Sequence, residues 1–397
     1  MNSRFTASAL LGLLAACSIS VPCALSATEK VIYSFRSGSY PYGRLEQDPS
    51  GALYGTAYNQ KGSGTAYQLT EKQGVWTFLA LHTFGGSGDG AHPYAGPLVD
   101  LAQGIFYGVT QYGGTQNRGT VYSVVPSGKN STEKVLYSFS GGQDGAHPTA
   151  LLARDKTSGA LYGTAVDSGR GCGSAFTLTP NGDNWTFSSL YDFVGGSGDG
   201  CNPSAQLKPG AKAGTWFGAT EFGGANGVGT VFSLAEKGGV WSESLVYTFS
   251  GDEGGNPLDL DSSDDGTIYG VAYAGGQQGA GTVFQLTPRR KKFDYSVIYP
   301  LAASNAGVGP LGVKFDSKAG RLLVIAGSGG AYGGGALLSL TPGSPYWNVS
   351  VLHSFGSGLD GRTPESRVEI DQTTGDIYGT TISGGAHGGG AVYQVTP

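Results

Sequence analysis

The chain has 397 residues, of which 71 are glycine, 13% are charged and 11% are aromatic, and its formal net charge is −5. Low charge with ample aromatics excludes a disordered acidic chain, glycines that keep no three-residue period exclude collagen, and so much glycine speaks against a helical bundle. The acidic balance argues against a nucleic-acid partner, which leaves a turn-rich β protein long enough for two or three domains.

The first predicted element is a leader. Arg4 begins a short positive region, Ala9 to Ala16 is apolar, and Ala24-Leu25-Ser26 has the small-x-small form of a signal-peptidase site, so residues 1–26 read as a secretory signal peptide. Leu14-Ala15-Ala16-Cys17 also fits a lipobox, which would make Cys17 a lipid anchor. Cleavage after Ser26 removes Cys17 and Cys23 together and leaves Cys172 and Cys201, an even pair suited to an oxidising compartment. No later segment approaches the roughly 18 apolar residues of a membrane-spanning helix. An exported protein is expected, whether periplasmic, extracellular or a lipoprotein of the outer surface, with no transmembrane span.

From residue 27 onward the sequence repeats. An aromatic that closes a Tyr-Ser-Phe-like triplet falls at Phe35, Phe84, Phe139, Phe193 and Phe249, then Leu301, then Phe355, at gaps of 49 to 56 residues. A second marker, in Tyr-Gly-Thr, falls at Tyr54, Tyr107, Tyr162, Phe217, Tyr269, Leu323 and Tyr378. A third, in Gly-Thr-Val-Phe, falls at Tyr67, Tyr122, Phe176, Phe232, Phe284, Leu338 and Tyr393. Each copy reads as four short strands; in the third these are Ala150–Arg154, Ala160–Ala165, Ser174–Thr179 and Trp185–Phe193. Four strands in a unit of this length, repeated seven times, predict a seven-bladed β-propeller over residues 27–397. The last copy stops after its third strand, and Lys30–Phe35 is a fourth strand with nothing before it. The N-terminal strand is therefore expected to complete the C-terminal blade, leaving no long open edge.

The string Leu136-Tyr-Ser-Phe-Ser-Gly-Gly-Gln-Asp-Gly-Ala-His-Pro148, with Leu161-Tyr-Gly-Thr164, Gly229-Thr-Val-Phe232 and Gly281-Thr-Val-Phe-Gln-Leu-Thr-Pro288, resembles the tandem repeat of bacterial choice-of-anchor, GloVer-type proteins. The resemblance covers the whole mature chain and implies an exported, envelope-associated repeat protein. It carries no catalytic residues with it. The sixth copy departs most, with Tyr-Pro-Leu at 299–301, Leu323 and Leu338.

Several conspicuous residues have structural readings. Trp76, Trp185, Trp241 and Trp347 each lie eight residues before a triplet-closing Phe, as expected of staples between blades, and Trp216 falls in a second strand, where core is the expectation. Asp89, Asp144, Asp199 and Asp360 recur once per copy, each followed four residues later by Pro, so each reads as a turn cap. One carboxylate per loop is too few for a calcium shell, and no helix follows the glycines to make a phosphate loop, so no metal or cofactor is expected. The run Arg289-Arg-Lys-Lys292 reads as a solvated turn. Alternating strand directions put the loops that carry Cys172 and Cys201 on one face of neighbouring blades, which predicts a disulfide.

That same long-loop face is where the copies disagree. Six residues before the third marker stand Lys61, Gln116, Arg170, Asn226, Gln278, Tyr332 and His387, which read equally as a ring of ligand-binding side chains or as solvated loop tips. A second variable ring precedes the loop proline: Tyr40, His92, His147, Asn202, Asn256, Gly309 and Thr363. His92, His147, Tyr94 and an arginine such as Arg118 or Arg170 are catalytic candidates, since β-elimination of an acidic polysaccharide needs a base and a cation. The leading expectation is a monomeric propeller that binds a polysaccharide or a protein at this face. A polysaccharide lyase, ahead of a glycoside hydrolase, is the alternative.

Overall fold

A computed structural model describes residues 27–60, 62–128, 131–167, 171–290, 292–302 and 306–397, and contains no helix among them. The leader, with Cys17, therefore lies outside the described residues. In the third copy the strands run Ala153–Arg154, Leu161–Ala165, Ser174–Asn181 and Asn184–Asp192, each antiparallel to the next. The second and third strands are apolar and buried on both faces because they lie between neighbouring blades, whereas the fourth alternates exposed and half-buried residues at the rim. The same unit recurs around a ring, giving a seven-bladed β-propeller.

Within a blade, the third-marker aromatic lies across the glycine of Tyr-Gly-Thr. A Cβ on Gly163 would sit 2.5 Å from Phe176 Cζ, so the ring can lie flat only over glycine. Between blades, the outer-strand tryptophans pack against the second marker of the preceding blade, with Trp76–Tyr378, Trp185–Tyr107, Trp241–Tyr162 and Trp347–Tyr269 centroids 5.8–6.1 Å apart. Phe293 takes the same place against Phe217. Trp216 is buried and stacks on Tyr162 at 4.2 Å. Leu301, which closes the outer strand of blade five, and Leu323 and Leu338 of the divergent sixth blade fill the marker positions and are 0–1% exposed, so the apolar pattern survives the change of residue.

The glycine before each third strand has a second task. Gly281 adopts φ +90°, and a Cβ there would come within 2.4 Å of the Pro310 ring of the next blade. The corresponding approach occurs at every blade boundary, ending with Gly390 against Pro41 of the first blade. Strand Thr28–Arg36 pairs antiparallel with Gly388–Thr396, from Thr28 opposite Thr396 to Arg36 opposite Gly388, and this closes the ring as the repeat pattern predicts. The disulfide joins Cys172 to Cys201, with Cα atoms 4.4 Å apart, across blades three and four.

Candidate functional site

All seven residues before the loop prolines have left-handed backbone, from Tyr40 at φ 42° through His92 and His147 to Thr363 at 56°, with Gly309 at 63°. Such a conformation strains a side-chain-bearing residue, most of all a β-branched one. It serves the ring: the N–H groups of His92, His147, Asn202, Asn256, Gly309 and Thr363 each donate to a carbonyl of the preceding blade's loop at 2.6–2.9 Å. The second variable ring is thus constant in backbone and variable only in side chain.

The turn delivers the residue after each proline to the channel mouth. Tyr42, Tyr94, Thr149, Ser204, Leu258, Leu311 and Glu365 occupy this position, and all of them line the cavities there. The outer cavity has a volume of about 360 Å³ and adds Gln111, Val166, Asn202 and Glu221 to its wall. Burial pushes the Glu365 carboxyl up to about 7 and raises that of Glu221 as well. The Tyr94 hydroxyl is held above its usual range, chiefly by burial and then by the charges of Glu365, Tyr42 and Glu221.

Aromatic rings run outward from this mouth across the first three blades. Tyr42 stacks on Tyr94 at 4.7 Å and meets Tyr58 edge-on at 5.6 Å. Tyr58 stacks on His92 at 4.3 Å; Tyr112 follows at 5.6 Å from His92 and 5.0 Å from His147. His147 is oriented by Asp167, whose carboxylate lies 2.7 Å from Nδ1.

Beneath the mouth, the innermost strands fill the throat with charge. Lys208 Nζ donates to Gln206 Oε1 at 2.9 Å and lies 3.3 Å from Asp261; Arg367 donates to Gln206 Oε1 at 2.6 Å and also pairs with Asp259 and Asp261. Burial, reinforced by the Arg367 charge, pulls the Lys208 ammonium down to about 7 against the attraction of Asp261. Arg44 pairs with Glu46 and is likewise lowered to about 10, by burial first and then by Arg367. These cations are committed to internal partners.

The other predicted residues lie farther out. Gln116, Asn226, Gln278, Tyr332 and His387 are exposed on turn tips and line neither mouth cavity, and Asn226 spends its amide on the Phe249 carbonyl at 3.0 Å. Lys61 and Arg170 lie outside the described residues. Arg118 is exposed, its stem packs against Gly141, and it lines neither mouth cavity. Glu221 and Glu365 were missed by sequence reasoning; the loop proline immediately before Glu365 was the available signal. The loop aspartates cap turns as expected: Asp199, for example, accepts the Val194 and Gly200 N–H groups, each at 2.7 Å. Arg289 pairs with Asp294 on an exposed turn.

Two further features belong to the scaffold. Clefts of about 660 and 340 Å³ open between blades two and three and between blades four and five, under Trp185 and Phe293. At the boundary of blades one and two, His82, Asp89 and Glu133 offer ligand atoms within 4.8 Å of one another, the one such group among the described residues. Its parts recur elsewhere: His353 lies 3.1 Å from Asp360, and the Asp360 and Asp199 charges act on Glu29 and Glu243, with each glutamate carboxyl, Glu133 included, pushed up to about 7, first by burial and then by the neighbouring aspartate.

Solved structures similar to this chain share its propeller form at low identity. An ancestral GH74 enzyme matches with TM-score 0.61 and 11% identity, over 94% of this chain and 51% of its own, so the chain spans about half of that enzyme. Candidate 6-phosphogluconolactonases from Bacteroides fragilis and Bacteroides uniformis match with TM-scores 0.53 and 0.52, 14% and 12% identity, over 90% of this chain and 88% and 89% of theirs. At such identities the likeness concerns fold alone. No curated protein sequence matches the chain. The model of the Gloeobacter/Verrucomicrobia repeat matches residues 40–262, 155–342 and 258–397, and the chain belongs to that repeat family.

Proposed function

We propose that the chain is an exported propeller that binds a neutral oligosaccharide at the channel mouth of its long-loop face. The observation that carries this reading is the run of stacked rings, Tyr42–Tyr94 and Tyr58–His92, leading into a concave mouth with amide and hydroxyl groups on its wall. Aromatic faces cover the apolar C–H faces of a sugar while Gln111, Asn202 and Thr149 supply partners for its hydroxyls. No lysine or arginine lines the outer cavity, and two carboxyl groups do, which disfavours an acidic polymer. For the same reason β-elimination of a uronate is less well supported, since no cation lines the outer cavity to neutralise a carboxylate. The Cys172–Cys201 bridge supports export.

The test is calorimetric titration of residues 27–397 with β-1,4- and β-1,3-linked gluco-oligosaccharides, xylo-oligosaccharides and polygalacturonate. Binding of a neutral glycan is expected, and Tyr94→Ala is expected to weaken it about tenfold or more, equivalent to about 1.4 kcal/mol. Unchanged affinity in a Tyr94→Ala protein of normal melting temperature, or binding of polygalacturonate alone, contradicts the reading.

A further inference from the structure

We propose that the mouth hydrolyses the glycan it binds, with Glu365 as the proton donor and Glu221 as the base that activates water. The inference rests on the binding reading above and adds chemistry to it. Glu365 follows the loop proline of blade seven, and Glu221 lies near the end of the second strand of blade four, Thr215–Gly223. Around a seven-blade ring those blades are three steps apart one way and four the other, so the two carboxyl groups stand on opposite sides of the axis. Both line the same cavity of about 360 Å³, with Tyr94 of blade two on a third side. A glycosidic bond lying over Tyr94 would thus have one carboxyl group on each flank.

The step balances without any cofactor. The Glu365 carboxyl passes its proton to the glycosidic oxygen as the bond from that oxygen to the anomeric carbon breaks. A water oxygen bonds to the same carbon from the other side, and its proton goes to the Glu221 carboxylate. The products are two fragments ending in hydroxyl groups; Glu221 then returns its proton to solvent and Glu365 takes one back. Attack by water on the face opposite the departing oxygen inverts the anomeric centre.

Burial leaves Glu365 protonated up to about pH 7, the state a donor requires. The active form has Glu365 protonated and Glu221 ionised, so the rate should fall at both ends of the pH range.

The experiment uses purified residues 27–397 and whichever neutral oligosaccharide binds in the titration. Release of reducing ends is measured for the native protein, Glu365→Gln and Glu221→Gln, with affinity and melting temperature recorded for each. The expected result is turnover by the native protein with a bell-shaped pH profile, inverted anomer as first product by NMR, and at least a 100-fold loss of kcat in either variant while each variant still binds the glycan and keeps its melting temperature. Binding without reducing ends overturns hydrolysis, and a retained anomer or a Glu365→Gln protein keeping more than a tenth of the rate overturns the roles assigned to the two glutamates; each of these leaves the binding site standing. If no glycan binds the native protein, both readings fall together.

Discussion

Glu243→Gln should stabilise the protein at alkaline pH and leave it nearly unchanged at acid pH. Glu243 lies in the outer strand Val240–Thr248 of blade four, and its Oε1 is buried without a hydrogen-bond partner. Burial and the nearby Asp199 charge push its carboxyl up to about 7. The folded protein therefore keeps a proton that the unfolded chain has released, and stability falls as pH rises from about 4.5 to 7. A shift from 4.5 to about 7 corresponds to about 3.4 kcal/mol at 1.36 kcal/mol per pKa unit. The side chain is only half buried, so solvent screening reduces this to about 1–1.5 kcal/mol. Urea unfolding of the native protein and Glu243→Gln at pH 5 and pH 8 isolates the effect, because every other titration cancels in the difference. The glutamine variant should gain about 1–1.5 kcal/mol on the native protein between the two pH values. A difference that does not change with pH, or a variant less stable at pH 8, refutes the reasoning. Glu29 and Glu133 occupy the same place at other blade boundaries, so the three substitutions should add.

Replacing Cys172 and Cys201 by serine opens a loop of 29 residues, which should cost about 3.5 kcal/mol and lower the melting temperature by about 4–5 °C for a domain of this size; differential scanning calorimetry measures it. Deleting residues 28–36 strips the last blade of its outer strand and exposes Gly388–Thr396 as an edge, so the shortened protein should unfold or oligomerise, as read by light scattering and circular dichroism. Gly281→Ala combines a left-handed backbone with contact against Pro310 and the Ala272 carbonyl, and should destabilise by about 3 kcal/mol in chemical unfolding, whereas an alanine at exposed Gly74, with open space around it, should cost about 1 kcal/mol.

The scaffold was legible because each of its devices is written seven times. Three markers in step gave the number of blades, and the orphan strand at Lys30–Phe35 gave the closure. The disulfide followed from strand direction, since the topology alone puts Cys172 and Cys201 on one face of adjacent blades. The mouth was legible only in part. Tyr94 could be read because it follows a loop proline, but Glu365 and Glu221 occupy different positions of the repeat unit, so no alignment of the copies places them together. Sequence variation drew attention to the turn tips, such as Gln278 and Tyr332, which project into solvent away from the mouth. The ring that includes His92 and His147 varies in side chain and is constant in backbone, a distinction that φ angles reveal and residue names do not. The charged throat also escaped, since Lys208, Asp261 and Arg367 come from three different blades and meet only when the ring closes.

A crystal structure of residues 27–397 soaked with the tightest-binding oligosaccharide tests the central claim most directly. The account predicts a sugar ring stacked on Tyr94 inside the mouth, with hydroxyl groups within hydrogen-bonding distance of Glu221 or Glu365. Sugar bound instead over the turn tips at Gln278 and Tyr332, or in the cleft under Trp185 on the far side of the blades, would contradict it.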